Sequence, residues 1–255
     1  MITVAEYDIM AENLPAEFGN TRIALITDIH HGSRFSYNLL NRVVGMTNKL
    51  SPDLILLGGD YVREHPPGPL AECFAKLSEL DAPMGVYAVL GNHDYWNLPL
   101  MQKLINNSKI ELLQNNTIWL EKRNERILLV GIKDFWHNQS VSVEMRQKLA
   151  ESDFTVLLSH NPDYYDVLSS EDRANIDLML SGHTHGGQIT VFGFYAPVKM
   201  TKAEYTTGHI KPKGTRANII VSNGIGTGGL PIRFCARPQI VIVTLKKTPA
   251  GLHGR

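Results

Sequence analysis

The chain has 255 residues, 43% hydrophobic and 20% charged, a balance that excludes intrinsic disorder and suffices for one sizeable core. Its 25 basic and 25 acidic residues cancel, so no basic face for a nucleic acid polymer is expected. Residues 1–10 lack the basic start and apolar core of a signal peptide, and no run approaches the roughly 20 apolar residues that span a bilayer.

A cytoplasmic protein is therefore the simplest expectation, with peripheral membrane contact left open. In chain order, residues 23–27 read as a buried strand, 39–50 as a helix and 54–57 as a second buried strand. Residues 70–80 have helical spacing, 85–90 read as a strand and 98–105 as a helix. Residues 118–120 and 127–130 read as a hairpin around Arg123-Asn124, and 143–150 as a short helix. Further strands are expected at 154–158, 178–180, 219–221 and 240–245. Continuous apolar strands alternating with helices imply a layered α/β architecture, covered on both faces. The C-terminal third has few helical patterns, which predicts a second sheet with antiparallel pairing. There is no repeat and no linker, so a single domain over residues 1–255 is expected. Cys73 and Cys235 lie too far apart for a CxxC site and read as buried or half-buried thiols.

Polar residues collect where the buried strands end. The first motif is Asp28-Ile29-His30; positions i and i+2 of an extended segment face one side, so a carboxylate and an imidazole share a direction. Gly58-Gly59-Asp60 places a carboxylate at the mouth of the sheet, where open α/β sheets hold ligands. Gly91-Asn92-His93-Asp94 offers an amide oxygen and another imidazole. Ser159-His160 and Gly182-His183-Thr184-His185-Gly186 end two further strands. Five of the ten histidines fall in these motifs, which independent turn decoration does not explain. Asp28, His30, Asp60, Asn92, His160, His183 and His185 are too many ligands for one tetrahedral ion. They suit two divalent ions that share a carboxylate about 3.5–4 Å apart. Carboxylate, amide and imidazole without thiolate favour manganese, iron or zinc.

These blocks resemble the calcineurin-like metallophosphoesterase family, whose pattern runs DxH, GD, GNH[D/E], H and GHxH. All five occur here in order, from about residue 22 to residue 188. The resemblance implies a four-layer α/β/β/α sandwich, two mixed sheets flanked by helices. It implies one metal on Asp28, His30, Asp60 and His185, and another on Asp60, Asn92, His160 and His183, with Asp60 bridging. Protein phosphatases of the family read GDxxDRG, whereas Arg63 stands here in place of their second aspartate. The partner that orients His93 is thus open between Asp94 and Glu64. The strings Gly182–Gln188, His160-Asn161-Pro162 and Pro231-Ile232-Arg233-Phe234 resemble a bacterial branch of phosphodiesterases and UDP-2,3-diacylglucosamine pyrophosphatases of lipid A synthesis.

The expected function is hydrolysis of a phosphodiester or pyrophosphate by hydroxide held between two metals, on a small phosphorylated substrate that is free or lipid-linked. Asp60 and His93 are the expected catalytic residues, with His93 acting at the leaving oxygen. Arg233 and Arg34, with Arg63 behind them, are the candidates for binding phosphate, because arginine forks match its oxygens. Residues 191–198 could form an apolar lip, but core packing is the plainer reading. The same holds for Trp96 and Trp136, which are expected in the core. The alternatives are a broad-specificity phosphomonoesterase and a non-catalytic metal-binding scaffold; the complete ligand set argues against the latter.

Overall fold

The structure is a computed structural model and describes all residues except 33–36, 64–66, 138–139, 192–193, 196–204, 230 and 250–255. Its strands in chain order are β1 (Thr3–Ala11), β2 (Arg22–Ile26), β3 (Leu54–Leu57), β4 (Val86–Ala88), β5 (Ile110–Leu112), β6 (Asn116–Lys122), β7 (Glu125–Gly131), β8 (Thr155–Leu158) and β9 (Leu178–Ser181). They continue with β10 (Thr190–Val191), β11 (Phe194–Tyr195), β12 (Gly208–Ile210), β13 (Asn218–Val221) and β14 (Gln239–Lys247). The four longer helices are α1 (Tyr37–Lys49), α2 (Pro67–Leu77), α3 (Leu98–Asn106) and α4 (Val143–Glu151). The start of α4 is fixed by Ser142, whose hydroxyl accepts from the Met145 amide at 3.1 Å.

Two six-stranded sheets form, in the orders β1-β14-β2-β3-β4-β5 and β12-β13-β9-β8-β7-β6. Strand alternation sorts the side chains into layers. Ile23 and Leu25 of β2 point between the sheets, against Leu129, Val156 and Leu178. Ala24 and Ile26 point the other way, into a core with Leu40 and Phe74 of α1 and α2. On the far side, Leu128 and Val130 pack with Met145 and Leu149 of α4. The result is the expected α/β/β/α sandwich.

The second sheet is mixed, with the expected antiparallel pairing present but narrowly placed. Its interior pairs β7–β8, β8–β9 and β9–β13 are parallel, and antiparallel pairing is confined to β6–β7 and β12–β13 at the edges. The last strand, β14, does not stay in it. It crosses to the first sheet, parallel to β1 and antiparallel to β2. Parallel pairing of β2, β3 and β4, and of β7, β8 and β9, brings their C-terminal ends to one rim of each sheet. Cys73 is buried as expected, but Cys235 is exposed. No helix among the described residues is long and apolar enough to cross a membrane.

Candidate metal centre

The loops leaving these strand ends converge. Asp28, His30 and His185 form one buried group, and Asp60, His160 and His183 a second; within each, the ligand atoms lie within 4.8 Å of one another. In the first, His30 Nε2 is 3.1 Å from His185 Nε2, and His185 Nε2 is 3.6 Å from Asp28 Oδ1. In the second, His160 Nε2 is 3.2 Å from His183 Nδ1. One atom joins them: Asp60 Oδ2 lies 3.4 Å from His30 Nε2 and 3.4 Å from His160 Nε2. Asn92 Oδ1 sits 3.2 Å from His160 Nε2, at the edge of the second group.

The backbone achieves this differently from the expected extended i, i+2 arrangement. Asp28, His30, Asp60, His183 and His185 have φ of 52°, 46°, 56°, 68° and 51°, all in the left-handed region. L-residues avoid that region because Cβ crowds the carbonyl oxygen, and such strain collects at functional sites. Close packing of the loops supports it. A Cβ on Gly182 would collide with Thr27 Oγ1 and Asp28 Oδ2, so only glycine lets these loops touch.

Hydrogen bonds then aim each ligand. The Thr27 hydroxyl donates to Asp28 Oδ2 at 2.8 Å, and the His183 amide donates to both Asp28 oxygens at 3.1 and 3.0 Å. The His93 amide donates to Asp60 Oδ1 at 2.9 Å, leaving Oδ2 for the shared position. His160 Nδ1 is 2.8 Å from the Gly58 carbonyl and donates to it, which turns Nε2 toward the centre. Burial, reinforced by the nearby Arg63 guanidinium, lowers the His30 pKa to about 4 against the pull of Asp60. Burial also holds His185 well below the usual histidine range, with His30 and Arg233 adding to it. Both imidazoles are thus kept neutral, the form that binds a cation. His160 goes the other way: burial disfavours its charge, but Asp60 overcomes this and raises it to about 10. Burial, with Asp60 beside it, pushes Asp28 up to about 6.

The remaining candidates are placed as follows. The half-buried His93 ring meets His30 edge to face, with centroids 5.1 Å apart. Asp94 is not directed at it. The Asp94 carboxylate accepts from the amides of Asp60, Tyr61 and Gly91 at 2.7, 3.0 and 2.8 Å, and so ties two site loops together. Glu64, Arg34 and most of the expected lip lie outside the described residues. Arg233 sits at the site, but its donors go to the carbonyls of Gly226, Ala236 and Asn223 at 2.7, 3.0 and 2.7 Å, and its Nη2 lies 3.1 Å from His185 Nδ1. Trp96 and Trp136 are not in the core; they are 70% and 59% exposed. Trp136 lies against His183, with ring centroids 5.2 Å apart, and so edges the second group. Sequence reasoning missed that position because a loop carries no periodicity.

A two-sheet sandwich with two buried metal-binding groups at its strand ends is a metallophosphoesterase architecture. The sequence model of the calcineurin-like phosphoesterases matches residues 21–187. An uncharacterized metallophosphoesterase of Helicobacter pylori is 33% identical over 230 residues, which cover 88% of this chain and 59% of that protein. The uncharacterized metallophosphoesterase YkuE of Bacillus subtilis is 30% identical over 259 residues, covering 97% and 87%. The chain belongs to the calcineurin-like phosphoesterase family. It spans less than two thirds of the length of several relatives, 59% and 48% in two of them. Among solved structures, the Haemophilus influenzae NAD nucleotidase matches with a TM-score of 0.55 at 17% identity, over 80% of this chain and 50% of that one. That similarity shows the shared fold.

Proposed function

We propose that the chain is a dinuclear metal-dependent phosphohydrolase that cleaves a phosphodiester or pyrophosphate bond. The observation that carries this reading is Asp60 Oδ2, 3.4 Å from a histidine nitrogen of each group, where one oxygen can serve two cations. The residues fit such ions. Imidazole nitrogens face one another at 3.1 and 3.2 Å with buried carboxylates beside them, so nitrogen and oxygen donors crowd two points where a divalent cation would fit. The donor set of nitrogen and oxygen suits manganese, iron or zinc. Divalent cations bound there would supply positive charge to the phosphoryl oxygens and acidify a bound water.

The chain's own groups divide the remaining work. Asp28, His30, Asp60 and His185 would hold one ion, and Asp60, Asn92, His160 and His183 the other. His93, beside His30 and outside the ligand set, donates a proton to the leaving oxygen. Within this class, the reading extends to a pyrophosphate of a nucleotide-sugar lipid such as UDP-2,3-diacylglucosamine, met in the cytoplasm or at the membrane surface. Its support is the likeness of the Gly182–Gln188 string and the loop around Arg233 to that branch.

The test is turnover of metal-loaded protein on simple diesters, nucleotide sugars and monoesters, with His93→Ala alongside. That variant should lose about 100- to 10,000-fold in turnover, the usual worth of general acid help, and keep its metal. Protein that binds both ions yet cleaves no phosphoester would sink the reading.

A further inference from the structure

A cavity of about 550 Å³ opens beside the first metal-binding group, with His30 in its wall. Three arginines line it, Arg63, Arg233 and Arg237, and no carboxylate does among the described residues. The chain as a whole has no net charge, so this concentration of positive charge is local. The rest of the wall is largely apolar, including Leu39, Ile225 and Pro238. Such a wall suits an anion carried on an apolar body.

The three guanidinium groups are not equivalent. Arg233 is committed to backbone carbonyls and to His185, as described above. Arg237 is exposed. Arg63 donates through Nη2 to the Gly229 carbonyl, while its Nη1 is shielded from water and has no acceptor. A buried charged donor without a partner is costly, and native proteins rarely leave one without a use. Arg63 lines the cavity, and since nothing holds Nη1 in place, a small turn of the side chain would bring it to a ligand oxygen there.

We propose that this cavity receives an arm of the substrate that bears a second negative charge on an apolar body, and that Arg63 reads that charge. The inference rests on the phosphohydrolase reading and narrows it. Arg63 becomes a specificity residue, and the substrate a diester or diphosphate with a further anion some way from the scissile phosphorus.

Two chromogenic diesters isolate the effect: 4-nitrophenyl hexyl phosphate and 4-nitrophenyl 6-phosphonohexyl phosphate, which differ only in the terminal anion. Wild-type protein should favour the second in kcat/KM. Arg63→Met should lower kcat/KM for the anionic-arm ester about 10- to 100-fold further than it lowers that for the hexyl ester, as befits a lost charge-assisted hydrogen bond. Arg63→Lys should retain part of the preference. Equal losses on both esters, with metal content unchanged, would make Arg63 a brace for the Gly229 loop and overturn the proposal. So would a wild-type protein without preference, which decides the matter even if Arg63→Met fails to fold. If the wild type cleaves neither ester, calorimetric titration of metal-loaded protein still reads the cavity, separately from the phosphohydrolase reading. Hexane-1,6-diphosphonate should then bind at least about tenfold more tightly than hexylphosphonate, and equal affinities would overturn the cavity assignment.

Discussion

Five ligand residues share a backbone conformation that ordinary residues avoid, and each is held there by neighbours rather than by its own preference. At His185, with φ of 51°, the left-handed conformation costs about 1–2 kcal/mol for any residue with a Cβ. Glycine escapes that cost, although elsewhere glycine is the less stable choice than alanine. His185→Gly and His185→Ala remove the same ring and the same contact with Arg233, so comparing them isolates the backbone. Metal-free His185→Gly should be more stable than metal-free His185→Ala by about 1 kcal/mol, net of the greater freedom of glycine in the unfolded chain. Urea unfolding in the presence of chelator reads the difference. The reverse order would mean that the loop relaxes once the ring is gone and that no strain is stored at this residue. The same logic explains why a histidine sits here at all: the fold tolerates a costly backbone because the imidazole is needed at the centre.

At the scale of elements, Asp94 shows how two strand-end loops become one structure. Its buried carboxylate takes amides from Asp60 and Tyr61 after β3 and from Gly91 after β4. Burial, together with the charge of Asp60, pushes its pKa up to about 8, against the pull of those amides. Asp94→Ala leaves three buried donors without acceptors, each worth about 1–3 kcal/mol. The variant should lose several-fold or more in metal affinity along with stability, because Asp60 and Asn92 lose their common brace. Chelator competition and thermal melting measure the two losses, and wild-type metal affinity in Asp94→Ala would refute the bracing role. Asp94 was visible in the sequence only as part of GNHD, because bonds to distant backbone amides leave no pattern. The buried strands were legible for the opposite reason: runs such as Leu54–Leu57 announce themselves when both faces are covered. β1 was not legible as a strand, since its alternating pattern at a sheet edge is weak and its partner begins 236 residues later, with Thr3 opposite Gln239. The convergence of ligands was legible because each motif follows such a run. Their left-handed backbone was not, because it arises from loops pressing on one another.

For the molecule as a whole, the centre acts as a clasp between the two sheets. The first group takes Asp28 and His30 from the end of β2 and His185 from the loop after β9; the second takes Asp60 from the end of β3 and His160 and His183 from the ends of β8 and β9. Each cation would therefore bind ligands from both sheets, and its affinity depends on their spacing. That spacing is set by the layer of side chains between them, where Leu56 meets the second sheet, and not by the layer outside, where Leu157 faces the α4 side. Both leucines are buried, at 0% and 2% exposure, so truncating either to alanine should cost about 2–5 kcal/mol. Only Leu56→Ala lets the sheets shift relative to one another, so only it should also weaken metal binding. A ligand that binds the folded state alone adds about 2.7 kcal/mol at a hundred times its dissociation constant, so the metal-dependent rise in melting temperature should shrink in Leu56→Ala and persist in Leu157→Ala. Melting each variant with chelator and with saturating manganese separates the two effects. Equal metal-dependent shifts in both would show that the ligand loops hold their geometry independently of the sheet spacing, and the clasp would then contribute to chemistry without contributing to the fold.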